Sequence, residues 1–228
     1  MPANLIAIDG PAASGKTTVG KMLAQRLGYL ILDTGCMYRA LTLAALKRGV
    51  DVHDETAVSQ LARDINLEVV PVGEHQDGRA YTVLLDGEDV TWDIRAPEVD
   101  ANVSQVSKYA AVRQEMVAQQ RAIGQRGRVV MVGRDIGTVV LPDAPLKLYI
   151  TATPEERARR RLRDRQAQGN GNSEYEAILA DIKRRDRIDS NRTHSPLKPA
   201  VDAILIDSSD HTAVEILNQI LALQESNA

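Results

Sequence analysis

The chain of 228 residues has no phenylalanine, a single cysteine, four histidines and only 3% aromatic residues. One cysteine, Cys36, excludes an internal disulfide and any multi-thiolate metal centre, and the scattered histidines show no zinc spacing. So few aromatics leave little on which to stack single-stranded bases, which argues against that mode of nucleic-acid binding. A net charge of -3 and an isoelectric point near 5.8 give no global attraction to nucleic acid or anionic membrane. No apolar run approaches the ~18 residues a membrane span requires, and Met1 to Asn4 lead directly into a strand-like run with no secretory leader. The expectation is a soluble, cytoplasmic chain with an aliphatic core, one large domain or a core with insertions.

What is present is concentrated at the start. The stretch NLIAIDGPAASGKTT, Asn4 to Thr18, matches the pattern G-x-x-x-x-G-K-[ST] at Gly10 to Thr17. Leu5 to Ile8 is a short aliphatic run suited to a buried parallel strand. From Lys16 to Leu27, apolar residues fall at Val19, Met22, Leu23 and Leu27, which is helical spacing. Gly10 and Gly15 let the backbone curl so that its N–H groups converge, and the following helix adds its positive end. Such a nest holds a polyphosphate, with Lys16 reaching the β and γ phosphates and the Thr17 hydroxyl available to Mg²⁺.

Further aliphatic runs at Tyr29–Leu32, Val129–Val132, Leu146–Ile150 and Ala203–Ile206 alternate mostly with helical patterns, predicting an α/β fold with a parallel sheet flanked by helices. Thr153, Pro154 and Glu156 read as a capping box opening a helix over Glu155–Gln166. Ser209 or Asp210 is expected to cap a last helix with Val214, Leu217, Ile220 and Leu221 on one face. The interval Asn66–Val90 alternates instead, around a polar turn at Gly73–Gly78, and predicts a small antiparallel sheet inserted into the α/β rhythm. Gln166–Ser173, QAQGNGNS, reads as the tip of a mobile flap between two arginine-rich helices.

Three constellations remain. Asp33–Arg39, DTGCMYR, follows the second strand where ligands of open α/β sheets bind; a capped helix with a solvated arginine explains it equally well. VVMVGRD, Val129–Asp135, places Asp135 three positions beyond the last apolar residue, so a role on a second substrate competes with one on Mg²⁺. Arginines crowd two helices, at positions 157 to 165 and 184 to 192, interleaved with acids. For most of them a solvated face with i,i+4 pairs suffices. For a subset, the choice of arginine over lysine suits bidentate phosphate contacts.

Taken together and in order, GPAASGKTT, DTGCMYRAL, SQVSKYAAVR, GRDIGTVVLPDA and RRDRIDSNR resemble the bacterial cytidylate kinases, a branch of the nucleoside monophosphate kinases. The resemblance covers essentially the whole chain. It implies a single P-loop kinase domain over residues 1–228, with an inserted monophosphate-binding lobe at about 63–109 and a lid at about 157–187. It implies transfer of the γ-phosphoryl group of ATP, with Mg²⁺, to CMP or dCMP. Gly10, Pro11, Ala12, Ala13, Ser14, Gly15, Lys16, Thr17 and Thr18 would hold ATP. Thr34, Tyr38 and Arg39 would meet the monophosphate, with Arg134 and Arg192 adding charge. Ser104, Arg113 and Asp135 would read cytosine, Arg185 and Asp189 the pentose, and Arg160 and Arg161 would be lid arginines acting in catalysis beside Lys16 and Arg134. A monomer is expected, with no nucleic-acid or membrane partner. Cys36 stands where small residues such as alanine are familiar, and a buried thiol serves the same packing role.

The chemistry agrees. A monophosphate oxygen is already ionised at neutral pH, so transfer needs no general base, only charge neutralisation and in-line placement. Rival readings are a kinase for another monophosphate, a nucleotide-binding switch, disfavoured by the lack of an N-K-x-D motif, and a nucleic-acid-dependent ATPase, disfavoured by acids among the arginines.

Overall fold

The computed structural model describes residues 3–167 and 174–226. The strands are β1 (Leu5–Asp9), β2 (Leu30–Asp33), β3 (Leu67–Val70), β4 (Thr82–Leu85), β5 (Glu88–Asp89), β6 (Val129–Gly133), β7 (Leu146–Thr151) and β8 (Ile204–Asp207). The helices are α1 (Lys16–Leu27), α2 (Gly35–Lys47), α3 (Glu55–Asp64), α4 (Pro97–Val106), α5 (Ala110–Gly124), α6 (Pro154–Ala167), α7 (Tyr175–Asn191) and α8 (Ala213–Ser226). Five strands form a sheet in the order β2-β6-β1-β7-β8, and β1 with β7 and β7 with β8 run parallel, Ile6 facing Leu146 and Asp9 facing Tyr149. The strand order steps away from sequence order because parallel neighbours need helical crossovers. The aliphatic runs become strands for the reason expected: β6 is buried along its whole length, as is β1 from Ile6 onward. β8 is the edge, and there burial alternates, with Leu205 exposed beside buried Ile206.

The chain divides into two compact units, Met1–Tyr29 with Val130–Ala228, and Leu30–Val129. In the first, α1 packs on α8, and α6 and α7 form a hairpin with its own apolar cluster of Ala158, Ile178 and Ile182 flanked by Leu162, Tyr175 and Leu179. Of the predicted flap tip, Gln166–Ser173, Gln166 and Ala167 continue α6, and residues 168–173 lie outside the described residues. In the second unit, α2 packs on α3, α4 and β4, and α3 on α5. The antiparallel sheet expected at Asn66–Val90 is there as β3-β4-β5, with Leu67 facing Leu85 and Val69 facing Val83. Its open end is tied by buried Arg79, which donates to Asp77, Asp89 and the hydroxyls of Thr82 and Thr91. The lobe anticipated at about 63–109 falls inside this unit.

Two helix ends differ from expectation. At α6 the Thr153 hydroxyl accepts the Glu156 N–H at 3.2 Å, but the reciprocal half of the box is missing: Thr153 N–H goes to Ser209 Oγ, and Glu156 pairs with arginines. At α8 the cap is neither Ser209 nor Asp210 but Thr212, in a complete box with Glu215. The buried face also differs: Ile216 and Ile220 are buried, whereas Val214 is 54% exposed.

Candidate active site

The phosphate-loop segment leaves β1 through Gly10 and enters α1 at Lys16. Gly10 has φ 151°, and a Cβ there would stand 2.0 Å from the carbonyl oxygen of Ile150, so only glycine fits. Ala13 (φ 60°) and Gly15 (φ 84°) both take left-handed conformations, turning alternate peptide groups in opposite directions. Lys16 is buried, its ammonium donating to the Pro11 carbonyl at 2.8 Å, while Thr17 and Thr18 lie exposed on the first helical turn. That turn carries no acidic residue, so the positive helix end faces the loop uncompensated. The fully buried Ser14 side chain has no hydrogen-bond partner among the described residues.

The outside of this loop is held by Arg160, expected as a lid arginine, and by Arg157 and Ser208, which the sequence reading did not single out. Arg157, buried, donates to the carbonyls of Ala12 (3.2 Å) and Ala152 (2.9 Å) and grips both carboxylate oxygens of Asp186 (3.0 and 2.6 Å). Arg160 donates to the Ser14 carbonyl at 3.4 Å, to Ser208 Oγ at 3.0 Å and to the Ser208 carbonyl. Ser208, at the end of β8, points its hydroxyl at the carbonyls of Ser14 (3.0 Å) and Thr151 (2.9 Å). Arg160 thus stands against the phosphate loop, 3.5 Å from where a Cβ on Gly15 would be. Arg161 is half-buried on α6. Arg159, Arg163 and Arg184 are more than half exposed in short-range pairs with Glu156 or Asp181, the solvated face that explains most of the run.

Asp9, at the end of β1, is a further residue the sequence reading passed over. Its carboxylate accepts the N–H groups of Ile136 (2.7 Å) and Gly137 (2.8 Å), fixing the wide turn Ile136–Val140 whose bonds from Val140 to Asp135 and from Leu141 to Ile136 span five residues. Burial pushes the Asp9 carboxyl up to about 6; nearby Asp135 adds to the rise, while the two N–H donors and Lys16 oppose it. Asp135 is buried at the entry to this turn. Beside it, Arg134 pairs with Asp189, and Arg192 approaches the other oxygen of Asp189 at 3.8 Å. One carboxylate on α7 therefore gathers Arg134 and Arg192, two of the predicted monophosphate contacts. Arg185 is half-buried one turn earlier on α7.

In the Leu30–Val129 unit, Asp33, rather than Thr34, accepts the Gly35 N–H at the start of α2, and Thr34 is buried there. One turn on, Arg113 of α5 stacks over the ring of Tyr38 at 5.4 Å and donates to the Ser107 carbonyl. Arg39 donates to the Ile94 carbonyl at 3.1 Å and pairs with Asp100. Ser104, half-buried on α4, accepts from the Ser107 hydroxyl through its carbonyl. Thr34, Tyr38, Arg39 and Arg113 thus converge around the first turn of α2. Cys36 is buried behind it against the Tyr81 hydroxyl, and burial holds its thiol well above the usual range, which suits packing rather than reactivity.

No group of three or more His, Cys, Asp or Glu among the described residues is arranged to hold a metal, and no helix among them is long and apolar enough to cross a membrane. The sequence profile described as cytidylate kinase matches residues 6–226. Three relatives described as cytidylate kinases are similar over nearly the full length of both chains. The one from Roseiflexus castenholzii is 48% identical over 219 residues, 96% of this chain and 92% of its own. That from Chloroflexus aggregans is 50% identical over 216 residues, 95% and 91%, and that from Bacillus velezensis 47% over 223 residues, 98% and 97%. A solved shikimate kinase from Acinetobacter baumannii, 19% identical, aligns over 97% of this chain and 93% of its own with a TM-score of 0.46, too loose a match to bear on function. Matched across almost its whole length by one family and by relatives near half identity, the chain belongs to the cytidylate kinase family.

Proposed function

We propose that the protein transfers the γ-phosphoryl group of ATP to CMP or dCMP, giving ADP and CDP or dCDP, in the cytoplasm and as a monomer. The observation that carries the reading is the phosphate loop, with its left-handed Ala13 and Gly15, buried Lys16 and unopposed helix end, in a chain of this family. Residues 1–228 act as one kinase domain, with the acceptor lobe at about 63–109 and the lid at about 157–187.

An oxygen of the acceptor monophosphate attacks the γ-phosphorus in line, a new P–O bond forms, and the bond to the β-phosphate oxygen breaks to leave ADP. The backbone of Gly10–Thr18 and the Lys16 ammonium bind the donor phosphates and neutralise the charge that moves toward ADP. Thr34, Tyr38, Arg39, Arg134 and Arg192 bind the acceptor phosphate, and Arg185 and Asp189 its pentose. Arg160 and Arg161 take up charge on the transferred group, Arg160 after leaving the Ser14 and Ser208 carbonyls that hold it behind the loop, where Ser208 stays in place on Ser14. Asp135 accepts from the exocyclic amino group of cytosine, while Arg113 and Ser104 donate to its carbonyl and ring nitrogen. Uracil carries a carbonyl where cytosine carries the amino group and meets Asp135 with repulsion.

A hard cation fits this donor set: with the Thr17 hydroxyl exposed beside Lys16 and no acidic cluster among the described residues, Mg²⁺ would take most of its ligands from phosphate and water. It would supply positive charge that screens the donor phosphates. The test is ADP release from ATP and Mg²⁺ with CMP, dCMP, UMP, AMP or DNA added in turn. Strong stimulation by CMP and dCMP is expected; equal stimulation by UMP or AMP, or by DNA alone, would overturn the assignment.

A further inference from the structure

We propose that Arg157 is a positioning residue of the phosphate loop, one that turns a loop N–H group toward the nucleotide and ties the loop through Asp186 to α7. The inference rests on the reading that Gly10–Thr17 binds a nucleoside triphosphate. A guanidinium only 3% exposed is costly unless its donors are satisfied, and here three partners share it: the Ala152 carbonyl, the Ala12 carbonyl and the Asp186 carboxylate. The Ala12 contact matters for binding. A trans peptide is planar, with its C=O and the following N–H pointing opposite ways, so drawing the Ala12 oxygen outward to Arg157 directs the Ala13 N–H inward. Ala13 is left-handed at φ 60° without being glycine, a conformation strained for a residue with a Cβ that needs its surroundings to hold it. Two residues on, the Ser14 carbonyl is held from outside in the same manner by Ser208 and Arg160, which directs the Gly15 N–H inward.

The bidentate pair with Asp186 extends this hold to α7. Asp186 follows Arg185 directly and stands one turn before Asp189, so the helix carrying the proposed pentose contacts is fixed by the same guanidinium that fixes the loop. A clamp serving only to join α6 and α7 would be redundant, because Ala158, Ile178 and Ile182 with Leu162, Tyr175 and Leu179 already pack those helices together. Lysine, a point donor, could not serve all three partners.

The experiment is calorimetric titration of Mg²⁺-ADP into the wild type, Arg157→Met, Arg157→Lys and Asp186→Asn, with thermal unfolding and the ¹⁵N–¹H resonance of the Ala13 amide followed in parallel. The expected result is a dissociation constant raised about tenfold or more in Arg157→Met. Smaller rises are expected in Arg157→Lys and Asp186→Asn. The Ala13 amide should shift on ADP binding in the wild type and shift far less in Arg157→Met. Folded variants that bind ADP within twofold of the wild type and show the wild-type Ala13 shift would overturn the proposal and leave a purely structural clamp. If Arg157→Met does not fold, the same outcomes in Arg157→Lys and Asp186→Asn decide. A wild type that binds ADP while the variants match it overturns this proposal alone; a wild type that binds none removes the nucleotide reading beneath it.

Discussion

In the unit formed by Met1–Tyr29 and Val130–Ala228, the candidate phosphate ligand is backbone, and side chains grip it from behind: Arg157 on Ala12, Arg160 and Ser208 on Ser14, Asp9 on the neighbouring turn. In the Leu30–Val129 unit the candidate ligands are themselves side chains, Arg113 laid over Tyr38 and Arg39 held by Asp100. Phosphate is common to every nucleotide, and a fixed array of N–H groups suits it. A base must be told from others by donors and acceptors, which only side chains can vary. The comparison teaches that changes to the backbone cradle and the groups behind it should alter transfer or donor binding whatever the acceptor, and changes to the side chains proposed to read the base, Arg113 in the second unit and Asp135 in the first, should alter which acceptor is chosen.

The largest expected effect is in the first unit. Lys16→Met should lower kcat by about 10²-fold or more with CMP, because the lost cation faces charge that moves during transfer. Its melting temperature should stay near the wild-type value. Near wild-type turnover would break the assignment. Next, Arg113→Met and Asp135→Ala should each raise KM for CMP and narrow the preference for CMP over UMP, by ~1 to 3 kcal/mol per lost polar match. Unchanged discrimination in both would dissolve the contrast between the phosphate cradle and the base-reading side chains. Arg160→Ala and Arg161→Ala should slow turnover by about tenfold, roughly 1.4 kcal/mol, while weakening CMP binding less. Equal losses in kcat and CMP affinity would instead make them acceptor ligands.

A further effect is on stability rather than on activity. Asp9 has its carboxyl raised from 3.8 to about 6, so between those values the folded state keeps a proton that the unfolded chain releases. Its contribution therefore falls as pH rises from about 4 to about 6 and is flat above, by on the order of 3 kcal/mol. Denaturant unfolding at pH 4.5 and 7.5 should show wild type losing more stability than Asp9→Asn over that interval. A difference of the opposite sign would mean that the N–H groups of Ile136 and Gly137 outweigh burial.

Much of the first unit could be read from sequence because its signals are local. Gly10, Gly15, Lys16 and Thr17 lie within one turn of chain, and aliphatic runs reported every strand of the large sheet. Ser208 carried no such signal, since its partner Ser14 is 194 residues away. Arg157 was hidden by its neighbours, one arginine among several, and only burial separates it from exposed Arg159 and Arg163. Asp9 was legible in principle, as an acid closing a buried strand before Gly10. At α8 the box Thr212–Glu215 was overlooked for the nearer Ser209 and Asp210, and the stripe through Val214, Leu217 and Leu221 was taken for the buried face that Ile216 and Ile220 form. In the second unit the convergence of Arg113 on Tyr38 joins α5 to α2, a pairing no periodicity reports; there the resemblance to the family supplied what spacing could not.

The contrast between a backbone cradle for the donor and side chains that read the base is tested most directly by titrating Arg113→Met with CMP and, separately, with Mg²⁺-ADP. The account predicts a CMP dissociation constant raised about tenfold, in line with ~1.4 kcal/mol for a lost polar contact, and an ADP constant within twofold of the wild type. An Arg113→Met protein that binds CMP as the wild type does, or that loses ADP and CMP affinity alike, would contradict it.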